Sequence, residues 1–111
     1  MKLPPVKRGD TWSFVFVWKN NDTPINLANC SARMQIRKRR TGTMLAESST
    51  SNGNLSIIPT EGKVLVTFPA SMTGAVEPGI HDTDLELTFE SSGEVRSSKT
   101  LQLTVDEDIS R

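Results

Sequence analysis

Along most of the chain the apolar residues recur at every second position, which is the period of a β-strand. The clearest run is residues 11–18, where Trp12, Phe14, Phe16 and Trp18 share one face and Ser13, Val15 and Val17 the other. Both faces are largely apolar, so the pattern predicts a strand buried on both sides, or one whose second face meets a partner subunit. Residues 30–38 alternate more strictly, with Ala32, Met34 and Ile36 inward and Arg33, Gln35 and Arg37 outward. Residues 63–68 set Val64, Val66 and Phe68 on one face. Residues 81–89 set Thr83, Leu85, Leu87 and Phe89 against Asp82, Asp84 and Glu86, and residues 99–105 end the series with Leu101, Leu103 and Val105 inward. Shorter runs at 25–27, 44–48 and 55–58 complete the set.

Turn-forming residues punctuate these runs: Lys19 to Pro24, the Ser/Thr/Asn/Gly stretch at 48–53, Pro59 with Gly62, Pro78-Gly79, and Ser91-Ser92-Gly93-Glu94. Residues 69–76 are too few for an independent helix and read as one helical turn crossing the end of a sheet. The predicted architecture is all-β, an antiparallel immunoglobulin-like β-sandwich of about seven to eight strands. It forms a single domain over residues 11–111. Residues 1–10 precede it as an extended N-terminal arm in which Pro4 and Pro5 fix φ, and Arg8-Gly9-Asp10 turns the chain into the first strand.

Charge narrows the partners. Thirteen basic and thirteen acidic residues give a formal net charge of +0, so no long-range field selects nucleic acid or an anionic membrane, and little self-repulsion keeps like copies apart. The run Arg37-Lys38-Arg39-Arg40 has no aromatic neighbour for base stacking and reads as a solvated hairpin tip; nucleic acid is not expected. No apolar stretch approaches the ~20 residues of a membrane span, and neither a span nor an export signal is expected. The one cysteine, Cys30, has no intramolecular disulfide partner, which fits folding in a reducing compartment.

Candidate chemistry is sparse: one His, one Cys and no Tyr. His81 and Cys30 lie in no nucleophile motif, so the chain is not expected to be an enzyme, and neither cofactor nor metal is expected. Asp82, Asp84 and Glu86 form a carboxylate stripe, but alternate side chains on a strand sit about 6.6–6.8 Å apart, too spread to enclose one Ca²⁺. Cross-strand pairing with Arg33 and Arg37 suits them better. Trp12, Phe14, Phe16 and Trp18 are four of only six aromatic residues, so the core must be organised around their strand, and its apolar second face is a candidate subunit contact. The candidate interface positions are therefore Pro4, Pro5 and Arg8 of the arm, Trp12 and Trp18 at the ends of the aromatic strand, and Arg33, Arg37, Asp82 and Asp84 of the charged stripes.

The order of these features resembles a known family. Arg8-Gly9-Asp10-Thr11 leads into the aromatic strand ending at Trp18. Pro24-Ile25-Asn26-Leu27 then precedes Ala32-Arg33-Met34-Gln35-Ile36-Arg37, followed by Gly62-Lys63-Val64, Pro69-Ala70, Pro78-Gly79 and Asp84-Leu85-Glu86-Leu87. From Lys7 to about Val105 this order is similar to small virion proteins of tailed bacteriophages, in particular the N-terminal immunoglobulin-like domain of phage baseplate upper proteins. The resemblance implies a β-sandwich that attaches one part of a phage particle to another, with no catalytic residues. The expected function is that of a non-enzymatic virion structural protein, made in the host cytoplasm, which docks tail, baseplate or neck components through β-edges and its N-terminal arm. Its expected partners are other virion proteins and copies of itself. The alternatives are a capsid decoration protein and a carbohydrate-binding β-sandwich, which would need the rings of Trp12 and Trp18 to face solvent.

Overall fold

A strand that is apolar on one face only must lay that face against another layer, and the alternating runs resolve into two facing sheets. The computed structural model of the chain describes residues 2–98 and 100–107. Lys99, expected at the start of the last strand, lies outside the described residues, as do residue 1 of the expected arm and residues 108–111 of the expected domain. The strands are β1 (Val6–Lys7), β2 (Trp12–Val17), β3 (Lys19–Asn20), β4 (Thr23–Pro24), β5 (Cys30–Lys38), β6 (Met44–Ser49), β7 (Leu55–Ile58), β8 (Lys63–Phe68), β9 (Gly79–Phe89), β10 (Glu94–Ser97) and β11 (Leu101–Asp106). A 3₁₀ turn at Pro59–Glu61 and one helical turn, α1 (Ala70–Thr73), cross between them.

The protein is all-β. The larger sheet runs β1-β11-β9-β5-β6, with β10 also on β9, and curls into half a barrel. The smaller sheet runs β2-β8-β7, and β3-β4 form a separate small hairpin. Every pairing is antiparallel except that of β1 with β11. β9 is long enough to hold two partners end to end, β11 along Gly79 to Thr83 and β10 along Glu86 to Phe89. Ser98 bridges the gap: its amide donates to the Leu85 carbonyl (2.8 Å), and its hydroxyl accepts the Leu85 amide (2.9 Å). A side-chain oxygen thus replaces the missing ladder acceptor.

Between the sheets, Trp12, Phe14 and Phe68 pack ring against ring, with centroids 6.1 and 6.3 Å apart, over Met34, Ile36, Leu85, Leu87 and Leu103. Along one side the sheets are joined where the Ser48 hydroxyl on β6 donates to the Thr67 carbonyl on β8.

Two expectations change. The arm, expected as a docking extension, lies on its own domain. The Leu3 amide donates to the Gln102 carbonyl (2.9 Å), Val6 stands opposite Val105, and the Arg8 amide donates to the Asp106 carbonyl (2.9 Å). Leu3 and Val6 add apolar surface to the core, which explains the placement: the arm caps the edge of β11 and buries its two aliphatic residues together. The second change concerns β2. Its inward face behaves as expected, but Val15 is 60% and Val17 44% exposed, so the strand is not buried on both sides. Among the described residues no third layer covers the smaller sheet.

Candidate functional site

The charged stripes meet on the outer face of the larger sheet. Strand register places Arg33 opposite Glu86, Gln35 opposite Asp84 and Arg37 opposite Asp82. Arg33 Nε reaches the Glu86 carboxylate at 3.1 Å. Arg37 does not take Asp82. It turns toward the β5–β6 turn, beside a register shift of that pair after Ile36, and donates to the Gly42 carbonyl (2.9 Å) and to the Gln35 side chain. The turn brings Arg39 back instead, and its guanidinium holds Asp82 at 3.0–3.1 Å while also reaching the Gln102 side chain. Asp84 stands beside Gln35 without an ion pair among the described residues. Two of the three carboxylates, Glu86 and Asp82, are thus held by guanidinium groups in half-exposed pairs worth little in stability.

The arm residues and tryptophans lie elsewhere. Pro4 and Pro5 are exposed where the arm runs along β11. Arg8 donates through Nε to the Gly74 carbonyl (3.0 Å), tying the arm's turn to the end of α1. In that turn Gly9 is buried at φ 89°, a conformation that favours glycine, and the Asp10 carbonyl accepts the buried Thr73 hydroxyl (2.7 Å). Trp12 is 2% exposed, with its indole N–H on the Lys7 carbonyl (2.7 Å). Trp18 is half-buried against the core. A sugar stacks on an open ring face, so of the two tryptophans only Trp18 keeps ring surface to offer.

The sequence-predicted positions therefore do not converge on one patch. They divide among the sealed β11 edge, the ion-pair ladder and the two ends of β2. His81 and Cys30 are also separate: Cys30 stands opposite Phe89 and His81 opposite Lys38, the length of β5 apart, roughly 27 Å at strand rise. Half-burial pushes the Cys30 thiol above its usual range, and the Glu90 carboxylate adds to the shift. The Lys38 ammonium, hydrogen-bonded to Glu77 at 2.7 Å, holds that carboxyl below its usual range. Among the described residues no three His, Cys, Asp or Glu side chains gather as a metal set.

One candidate site was only half legible in the sequence. β2 is the edge of the smaller sheet, bonded to β8 on one side, and its outward face carries Ser13, Val15 and Val17 in the open. Alternation marked those positions as apolar but could not say whether a layer lay over them. No family model matches the chain, and no curated protein matches it.

Proposed function

We propose that the chain is a non-enzymatic docking module of a tailed-phage particle, a virion structural protein that joins tail, baseplate or neck components and meets copies of itself. The docking role rests on one observation, the unpaired edge of β2 with exposed valines beside it. A free strand edge offers a row of backbone donors and acceptors that another strand can complete, and apolar side chains next to it add burial to those hydrogen bonds. The setting rests on the family resemblance in the order of turns and strands.

The finer fold reading belongs to the same proposal. We infer an immunoglobulin-like sandwich, because β2-β8-β7 facing β11-β9-β5-β6 follows the B-E-D and G-F-C-C′ order of that fold. In the constant-type arrangement an A strand lies beside B. Here the first strand is spent on β11, so among the described residues the position beside β2 is vacant. The inter-sheet disulfide of antibody domains has no counterpart, since Cys30 is the only cysteine, and Met34 rather than a tryptophan fills the middle of β5.

Mass spectrometry of purified particles from the genome that encodes the chain tests the role. The expected result is the chain at a fixed stoichiometry in intact particles, retained through a density gradient and assigned to heads or tails after the two are separated. Absence from intact particles overturns the proposal. Recovery with heads alone identifies a capsid decoration protein instead.

A further inference from the structure

We propose that the vacant position beside β2 is filled by a second copy of the same chain, whose β2 pairs antiparallel with the first across a two-fold axis at Val15. This rests on the docking role proposed above and names the partner of that edge.

Backbone direction comes first. The Trp18 amide donates to the Gly62 carbonyl on the β8 side (2.7 Å), continuing the register Trp12↔Phe68, Phe14↔Val66, Phe16↔Val64. Backbone groups alternate in direction along a strand, so the even positions serve β8 and the amides and carbonyls of Ser13, Val15 and Val17 point away from it. Among the described residues those outward groups have no partner.

The edge is also unguarded. From Thr11 to Val17 there is no charge, proline or glycine, the devices that normally keep strand edges apart. With the axis at Val15, Val15 of one copy faces Val15 of the other and Ser13 faces Val17, so every outward group meets its complement in about six hydrogen bonds. The same residues carry the exposed side chains, so the exposed valines of the two copies gather into one cluster on the outer face. The half-buried Leu65, next to Val15 across β8, extends that cluster into each copy.

Charge then selects a second copy over an arbitrary strand. Asp10 lies just before the uncharged run and Lys19 just after it, both exposed and without an ion pair among the described residues. The two-fold register puts Thr11 opposite Lys19 and Asp10 opposite Asn20, so the acidic end of each copy's strand lies against the basic end of the other's, twice, while the Asp10 and Lys19 side chains, one position out of step, leave opposite faces and attract through space without pairing directly. Parallel pairing would bring like charge to like. A net charge of +0 adds no long-range repulsion between the copies.

Sedimentation equilibrium of the full chain tests the pairing. The expected result is a monomer–dimer equilibrium in the micromolar range. Val15→Pro deletes an outward amide and no bond to β8, a placement proline tolerates in an edge strand, and is expected to raise the dimer dissociation constant at least about tenfold. Asp10→Lys is expected to weaken the dimer by about threefold, and Lys19→Asp in the same chain to restore it, which also serves if Val15→Pro fails to fold. A monomer at every concentration, a Val15→Pro dimer of unchanged affinity, or a charge swap without restoration each overturns the pairing. If a monomeric wild-type chain gains protection of its β2 amides only inside particles, the occupant is another protein's strand, which overturns the second copy and leaves the docking role standing. A dimer formed by a chain that is absent from particles has the opposite meaning.

Discussion

Gly62 is a position where a single added methyl group should be costly. It is buried at φ 62°, between the 3₁₀ turn and β8, and its carbonyl accepts the Trp18 amide (2.7 Å) while the Trp18 carbonyl accepts the Ile25 amide (2.9 Å). A Cβ built on Gly62 would stand 2.5 Å from the Trp18 carbonyl oxygen and 3.0 Å from that of Ile25. Both are backbone atoms, so no side-chain rotation relieves the clash. Gly62→Ala then costs about 1–2 kcal/mol for the left-handed backbone and about 1–2 kcal/mol more for the two hydrogen bonds that must stretch or break. The total is about 2–4 kcal/mol. Urea unfolding followed by tryptophan fluorescence should show the midpoint falling by about 1–2 M, given the usual denaturant sensitivity of a small domain. Gly53→Ala is the control: its φ is 81° but nothing lies within 4 Å of the added Cβ, so it carries the backbone cost alone. Equal losses in the two variants would refute the clash at Trp18.

Two further outcomes follow from the same contacts. Thr73→Val keeps the shape of a fully buried side chain but leaves the Asp10 carbonyl without its hydroxyl donor, and should cost about 1–2 kcal/mol in urea unfolding; a loss near zero would mean that the bond contributes nothing. Because burial first and Glu90 second raise the Cys30 pKa, its thiolate fraction at pH 8 is below that of free cysteine, and iodoacetamide should alkylate it more slowly there. Glu90→Gln should speed the reaction only modestly, and a wild-type rate equal to that of free cysteine would contradict the shift.

The elements with strict alternation were legible because one face needed water excluded. Ala32, Met34 and Ile36 on β5, Leu85 and Leu87 on β9, and Val64 and Val66 on β8 are all buried as the period indicates. What escaped the sequence lacked that contrast. All four residues of β10 are exposed, so no inward period marks it, and β1 is two residues long. Arg39 rather than Arg37 holds Asp82: Arg37 stands opposite Asp82 in the ladder but bonds the Gly42 carbonyl, and spacing does not reveal that the β5–β6 turn brings Arg39 back. Thr73, buried and bonded 63 positions away in sequence, looked like an ordinary turn residue. The valines of β2 carry the same lesson in reverse: periodicity reports that a face is apolar, and only the arrangement of layers decides whether it is covered.

The open edge of β2 follows from where the arm goes. A single first strand can guard one sheet edge, and the arm guards β11, because Leu3 and Val6 gain burial there. Three contacts near Gly9 hold that choice: the Trp12 indole on the Lys7 carbonyl, the Thr73 hydroxyl on the Asp10 carbonyl, and the Arg8 guanidinium on the Gly74 carbonyl. Two of these contacts come from the link between β8 and β9 and one from the first residue of β2, so the arm cannot swing to β2 without breaking them as well as its bonds to β11. The edge of β2, unpaired among the described residues, is therefore a built feature of the folded domain and not a frayed end, and a strand pairing with it would find its donors and acceptors already ordered, which would lower the entropic cost of docking.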